Sequence, residues 1–132
     1  MYEEEYLASK TAHKRVLKTK HGDILNRYFD EENTPRPESY SIDLADYRDT
    51  VGHDFYRNIR AACESGWDFS SRWFKDQKTI QSIQILNIAQ VDLNCLLWHL
   101  EYTLGKTALQ LHIKKKSDFY FAKAAKRKKA IG

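Results

Sequence analysis

The sequence predicts a mainly helical chain with one β-hairpin, and three observations carry that prediction. Leu93, Leu97, Leu100, Leu104, Ala108 and Leu111 recur at spacings of 4, 3, 4, 4 and 3, the period of one helical face. Tyr56, Ile59, Arg60 and Cys63 fall at i, i+3, i+4 and i+7, and Gly66 follows where a C′ glycine ends a helix. Lys20-His21-Gly22-Asp23 sits between apolar pairs, the pattern of a hairpin turn. At 132 residues, 42% hydrophobic and 30% charged, the chain has the length and mix of one globular domain, 1–132.

Taken in order, Tyr2 to Lys10 reads as the end of a helix. His13 to Phe29 reads as the hairpin, with Val16-Leu17 on one arm and Ile24-Leu25 and Tyr28-Phe29 on the other. Asp30 to Pro37 holds both prolines and no apolar period, so it is a loop, and Pro35 and Pro37 bias Thr34 and Arg36 towards extended backbone. Ser39 to Arg48 is a short helix with Ile42, Leu44 and Tyr47 available for packing; Asp54 to Ser65 is a longer one. Trp67 to Phe74 is a loop crowded with rings, and Asp76 to Gln84 reads as a further short helix. Asp92 is placed to cap the longest helix. The last helix starts near Ser117, with Tyr120, Ala124, Arg127 and Ile131 on one stripe.

Several function classes drop out. No apolar run is long enough for a membrane-spanning helix, and the first twenty residues are too charged for a secretory leader, so the default expectation is cytoplasmic. Cys63 and Cys95 lack metal or redox spacing, and the five histidines form no ligand motif, so no metal site is expected. The net charge of +4 comes from the end of the chain: residues 114–132 carry +7 and the rest −3. Lys123, Lys126, Lys128 and Lys129 spread around their helix, which argues against nucleic-acid binding.

Two segments hold groups that can do chemistry. In Pro35-Arg36-Pro37-Glu38-Ser39, an Arg and a Glu two apart on extended backbone point the same way. A fork of donors beside paired acceptors can grip the vicinal hydroxyls of a sugar, or can simply form a loop ion pair. In Glu64-Ser65-Gly66-Trp67-Asp68-Phe69-Ser70-Ser71-Arg72-Trp73, Asp68 lies between two rings. Burial there raises a carboxyl's pKa and suits a general acid, whereas Arg72 pulls the other way. A plain turn residue is the competing reading.

These segments also carry a family resemblance. LNRYFD (25–30), TPRPESY (34–40), FYR (55–57), ESGWDFSSRW (64–73) and VDLN (91–94) resemble, in order and spacing, the middle of the catalytic domain of trehalases. That family comprises inverting glycoside hydrolases that split α,α-trehalose into two glucoses. The resemblance implies that Asp68 is the general acid, that Gly66 lines the sugar site through its backbone, and that Arg36, Pro37 and Glu38 contact glucose hydroxyls. It implies an (α/α)6 toroid, trehalose as substrate and no metal or organic cofactor. Inverting geometry leaves about 6.5–9.5 Å between acid and base for a water. Residues 84–90 (QILNIAQ) depart from the family pattern.

The family's upstream signature and its downstream signature, which holds the base glutamate, do not occur in this sequence. Twelve helices of ~11 residues joined by loops of ~4 need roughly 180 residues, more than the chain has. The expectation is an incomplete portion of the toroid, with little turnover on its own. The alternative is an inactive remnant or helical interaction module, self-associating through leucine stripes that the rest of a toroid would cover. For the full-length family member, a periplasmic location is the other expectation.

Overall fold

The structure, a computed structural model, describes residues 11–48 and 52–132. The helix end expected at Tyr2 to Lys10 lies outside the described residues. Two compact units form: residues 11–26 with 89–132, and residues 27–88.

The first unit holds a three-stranded antiparallel sheet in the order β1 (Ala12–His13), β2 (Val16–Lys18), β3 (Ile24–Asn26). Leu17 pairs with Leu25 and Val16 with Asn26. The turn forms where the sequence places it: Thr19 N–H donates to Asp23 O, Gly22 N–H to Thr19 O, and Gly22 takes the positive φ of 86° that glycine permits. The hairpin is shorter than expected and gains β1. Its second arm ends at Asn26, because Tyr28 and Phe29 pack into the core of the other unit.

Two long helices follow, α3 (Val91–Gln110) and α4 (Lys114–Ile131), packed along each other. The turn between them is a Schellman motif built on histidine: His112 takes φ 57°, and Ile113 N–H reaches back to Ala108 O at 2.8 Å. Gly105 lets the helices approach, since a Cβ there would stand 2.8 Å from the Phe121 ring. Of the expected α4 stripe, Ala124 and Arg127 are buried and Tyr120 and Ile131 half-buried; Ser117 is buried as well, and the helix begins three residues before it.

Leu100 and Leu104 are exposed, as expected of a stripe that the rest of a toroid would cover, while Asn94, Glu101, Gly105 and Ala108 face inward. A polar network sets that inward face. Arg127 donates from Nε and Nη2 to both Glu101 carboxylate oxygens (3.1 and 2.9 Å), and from Nη1 to Asn26 Oδ1 and Asn94 Oδ1 (2.9 Å each). Asn94 also accepts from Asn26 N–H and donates to Asn26 O, tying α3 to β3. Buried polar groups must meet one another, and that requirement sets which side of α3 turns in. Gln90 takes the N-cap position expected of Asp92, whose carboxylate lies in the first turn and accepts from Leu93 N–H at 2.8 Å.

The second unit holds α1 (Tyr40–Asp46) and α2 (Phe55–Glu64), linked by loops and 3-10 turns at Pro37–Ser39, Ser71–Trp73, Ile80–Ser82 and Ile85–Asn87. Its core joins Phe55, Ile59, Ala61, Ala62, Trp73, Phe74, Ile83, Ile85 and Leu86. The buried face of α2 runs through Phe55, Asn58, Ile59 and Ala62, one residue around from the expected stripe. Asn58 is drawn in because its Oδ1 accepts Leu86 N–H. Ser39 to Arg48 gives a helix whose Ile42 and Leu44 are exposed and whose buried residue is Asp43.

No single helix forms over Asp76 to Gln84. The Asp76 carboxylate accepts the backbone N–H of Lys78 and Thr79 and the hydroxyls of Thr79 and Ser82, gathering the segment into a loop. Phe74 then bridges to Ile83 in antiparallel fashion, which leaves only short turns.

Candidate active site

The sequence-predicted residues all lie in the second unit, around the C-terminal end of α2. Gly66 ends that helix as expected: its φ is 69°, in the left-handed region, and its N–H donates to Cys63 O at 3.2 Å. Glu64, in the last turn of α2, accepts Phe29 N–H at 3.2 Å. The chain then turns sharply through Trp67, Asp68, Phe69 and Ser70. Trp73, buried in the core, anchors this turn by donating from Nε1 to Trp67 O at 2.9 Å.

Arg36 lies opposite. Its backbone is extended (φ −69°, ψ 135°), as expected ahead of Pro37, which opens the 3-10 turn. Its guanidinium donates from Nε and Nη2 to the two oxygens of Asp43, at 3.0 and 2.7 Å, and its backbone N–H donates to Asp43 Oδ2 at 2.8 Å. Nη1 lies 3.2 Å from Cys63 Sγ, and the guanidinium carbon stands 5.1 Å from the centroid of the Phe69 ring.

The electrostatics follow from that packing. Burial opposes ionisation of Asp43, but side-chain and backbone hydrogen bonds from Arg36, and the charges of Arg36 and Arg60, outweigh it and hold the carboxyl below its ordinary value. The same carboxylate raises Arg36 above its already high value. Burial pushes the Cys63 thiol up; Arg36 opposes this, while Asp68 and Glu38 add to it. The contacts of Arg36 with Cys63 and with the Phe69 ring bring the 36–38 turn against the end of α2 and the residue next to Asp68.

Two expectations change. Asp68 is exposed in this chain, so the aromatic burial expected for it is not present. The reason is that its neighbours turn elsewhere: the Trp67 ring carries the Arg72 guanidinium at 4.6 Å, and the Phe69 ring carries that of Arg36. Glu38 is exposed and sits in the 3-10 turn, so Arg36 and Glu38 do not share an extended strand. The sequence reading missed Asp43, which is 3% exposed. The available signal was a lone carboxylate between Ile42 and Leu44, on a helix that starts just after the Arg.

Comparison with known proteins bears on the family. The trehalase family model matches residues 1–132. The chain is 41% identical over 130 residues to a periplasmic trehalase of Salmonella typhimurium, covering 96% of this chain and 23% of that protein. It is 43% identical over 123 residues to a periplasmic trehalase of Xanthomonas campestris, covering 91% of this chain and 22% of that one. The chain belongs to the trehalase family. It spans less than a quarter of the length of these curated relatives. Both relatives are named periplasmic, so the comparisons lend no support to the cytoplasmic default. Among the described residues, no helix is long and apolar enough to cross a membrane. The mainly helical fold with a small antiparallel sheet fits a portion of a trehalase domain.

Proposed function

We propose that this chain is the acid-bearing portion of a trehalase catalytic domain, and that the whole protein hydrolyses α,α-trehalose to two glucoses with inversion. Asp68 is the general acid: it delivers its proton to the oxygen joining the sugars as the C–O bond breaks. Arg36 and Glu38 grip hydroxyls of one glucose unit, Pro37 holds the turn that presents them, and the Gly66 backbone lines the same site. The base that activates water lies outside this chain. The observation that supports the reading is the seating of Arg36 against Cys63 and the Phe69 ring, beside Asp68, in a chain 41% identical over 130 residues to a named trehalase. A periplasmic location is inferred from the same relatives. The reaction uses no metal or cofactor.

The test is Asp68→Asn in the full-length protein, with glucose release from trehalose as the readout. An amide N–H is far too weak an acid to protonate the leaving oxygen, so the rate falls by about 10²–10⁴-fold. Near-wild-type release refutes the assignment.

The exposed leucines of α3, Leu96 at 66% and Leu100 at 52%, favour a second reading for the chain by itself, a helical module that self-associates. Size-exclusion chromatography separates the two: a monomer at all concentrations argues against the module.

A further inference from the structure

Arg36 is held more completely than a surface sugar contact requires. A guanidinium has five N–H donors in a fixed plane. Two of them meet the Asp43 oxygens at 3.0 and 2.7 Å, and a third points to Cys63 Sγ at 3.2 Å. Phe69 lies under the plane. Asp43 binds the backbone as well, accepting Arg36 N–H at 2.8 Å, so one carboxylate fixes both the rotamer of the side chain and the turn that carries Pro37 and Glu38. The remaining two hydrogens, on Nη1 and Nη2, have no acceptor among the described residues. A sugar hydroxyl is the kind of group that takes them.

We propose that Asp43 is a positioning residue for sugar binding: it clamps Arg36 side-on, so that two N–H groups stand ready for a glucose hydroxyl. This rests on the reading of Arg36 as a sugar grip. Without the clamp, the long Arg side chain must be ordered each time a sugar binds, and that entropy is lost from affinity. Asp43 itself is nearly inaccessible, so its effect on a sugar runs through Arg36.

The test uses the ¹⁵N-labelled chain and the Nε–H signal of Arg36, identified by its disappearance in Arg36→Lys. In the wild type this signal exchanges slowly with water and shifts as trehalose is added up to ~0.5 M, well above millimolar dissociation constants. Asp43→Asn keeps the shape but loses the charge and one acceptor. Its Arg36 Nε–H exchanges at least ~10-fold faster, and the trehalose midpoint rises about 10- to 100-fold, the scale of a hydrogen bond to a charged group. Asp43→Glu, which retains the charge, recovers part of both.

The core signals of Ile59 and the Trp73 indole stay in place in both variants; a merely structural role would move them and would not separate Asn from Glu. If Asn disturbs that core, Asp43→Glu decides by itself, through wild-type affinity with a released Nε–H or weakened affinity with it. Wild-type affinity despite a released Nε–H, or an unchanged Nε–H in Asp43→Asn, overturns the positioning role. An Arg36 signal that trehalose does not shift, or wild-type binding by Arg36→Lys, overturns the sugar-grip reading beneath it, and the proposal with it.

Discussion

Removing Arg127 tests whether a polar cluster, and not a leucine stripe, organises the helical unit. Arg127→Met deletes four hydrogen bonds at 2.9–3.1 Å. It leaves the Glu101 carboxylate, 8% exposed, without its cation, and strips a donor from both Asn26 and Asn94. Breaking a buried ion pair from one side costs about 3–5 kcal/mol. The two amide contacts share the same side chain, so their energies do not simply add to that figure. A unit of ~60 residues is stable by only about 3–9 kcal/mol, so the loss takes much or all of it. With a urea dependence of about 1.5 kcal/mol per molar, the midpoint falls by ~2–3 M. Urea unfolding followed by far-UV circular dichroism reads it, with Trp98 fluorescence reporting on α3. The pair Arg127→Met with Glu101→Leu removes both charges and recovers most of the loss. A single variant within ~1 kcal/mol of wild type, or a pair no better than the single, refutes the reasoning.

Gly105→Ala places a methyl 2.8 Å from the Phe121 ring; overpacking of about 1–3 kcal/mol exceeds the ~1 kcal/mol gained in helix propensity, so thermal stability falls, and Phe121→Leu in the same chain restores part of it. The Arg36 clamp has a defined acid limit. The Asp43 carboxyl is held below its ordinary value of 3.8 in the fold, so the unfolded chain takes up the proton first. Its stabilisation is complete above that ordinary value and is lost as pH falls towards and through the lowered one. Urea midpoints measured from pH 6 down to ~2.5 check this: Asp43→Asn flattens part of the acid-side decline, and an identical decline in both proteins contradicts it.

Legibility in the sequence followed the kind of force at work. Backbone signals read well: the Gly22 turn, the Gly66 helix stop and the extended Arg36 ahead of Pro37 all stand where local sterics put them. Burial read poorly wherever a polar partner decided it. Leucine spacing found α3 but not the face this chain buries, because Asn94 and Glu101 are claimed by Arg127, at sequence distances of 33 and 26 residues. Ile42 and Leu44 promised an apolar face for α1, yet Asp43 turned inward to Arg36. Asp76 held a loop open where the residue types suggested a helix. For the candidate site, the motif strings nominate Arg36, Glu38, Gly66 and Asp68, but not the carboxylate behind Arg36. Asp68 lacks its expected aromatic cover because Trp67 and Phe69 are occupied by Arg72 and Arg36.

The central claim is that Asp68 donates the proton to the leaving oxygen, and a substrate that needs no such proton tests it most directly. α-Glucosyl fluoride carries a leaving group good enough to depart unaided. In the full-length enzyme, Asp68→Asn is expected to lose trehalose hydrolysis by about 10²-fold or more while keeping most of its rate on the fluoride. Equal losses on both substrates would contradict the account, because they would place Asp68 in binding or in water activation and not in proton donation.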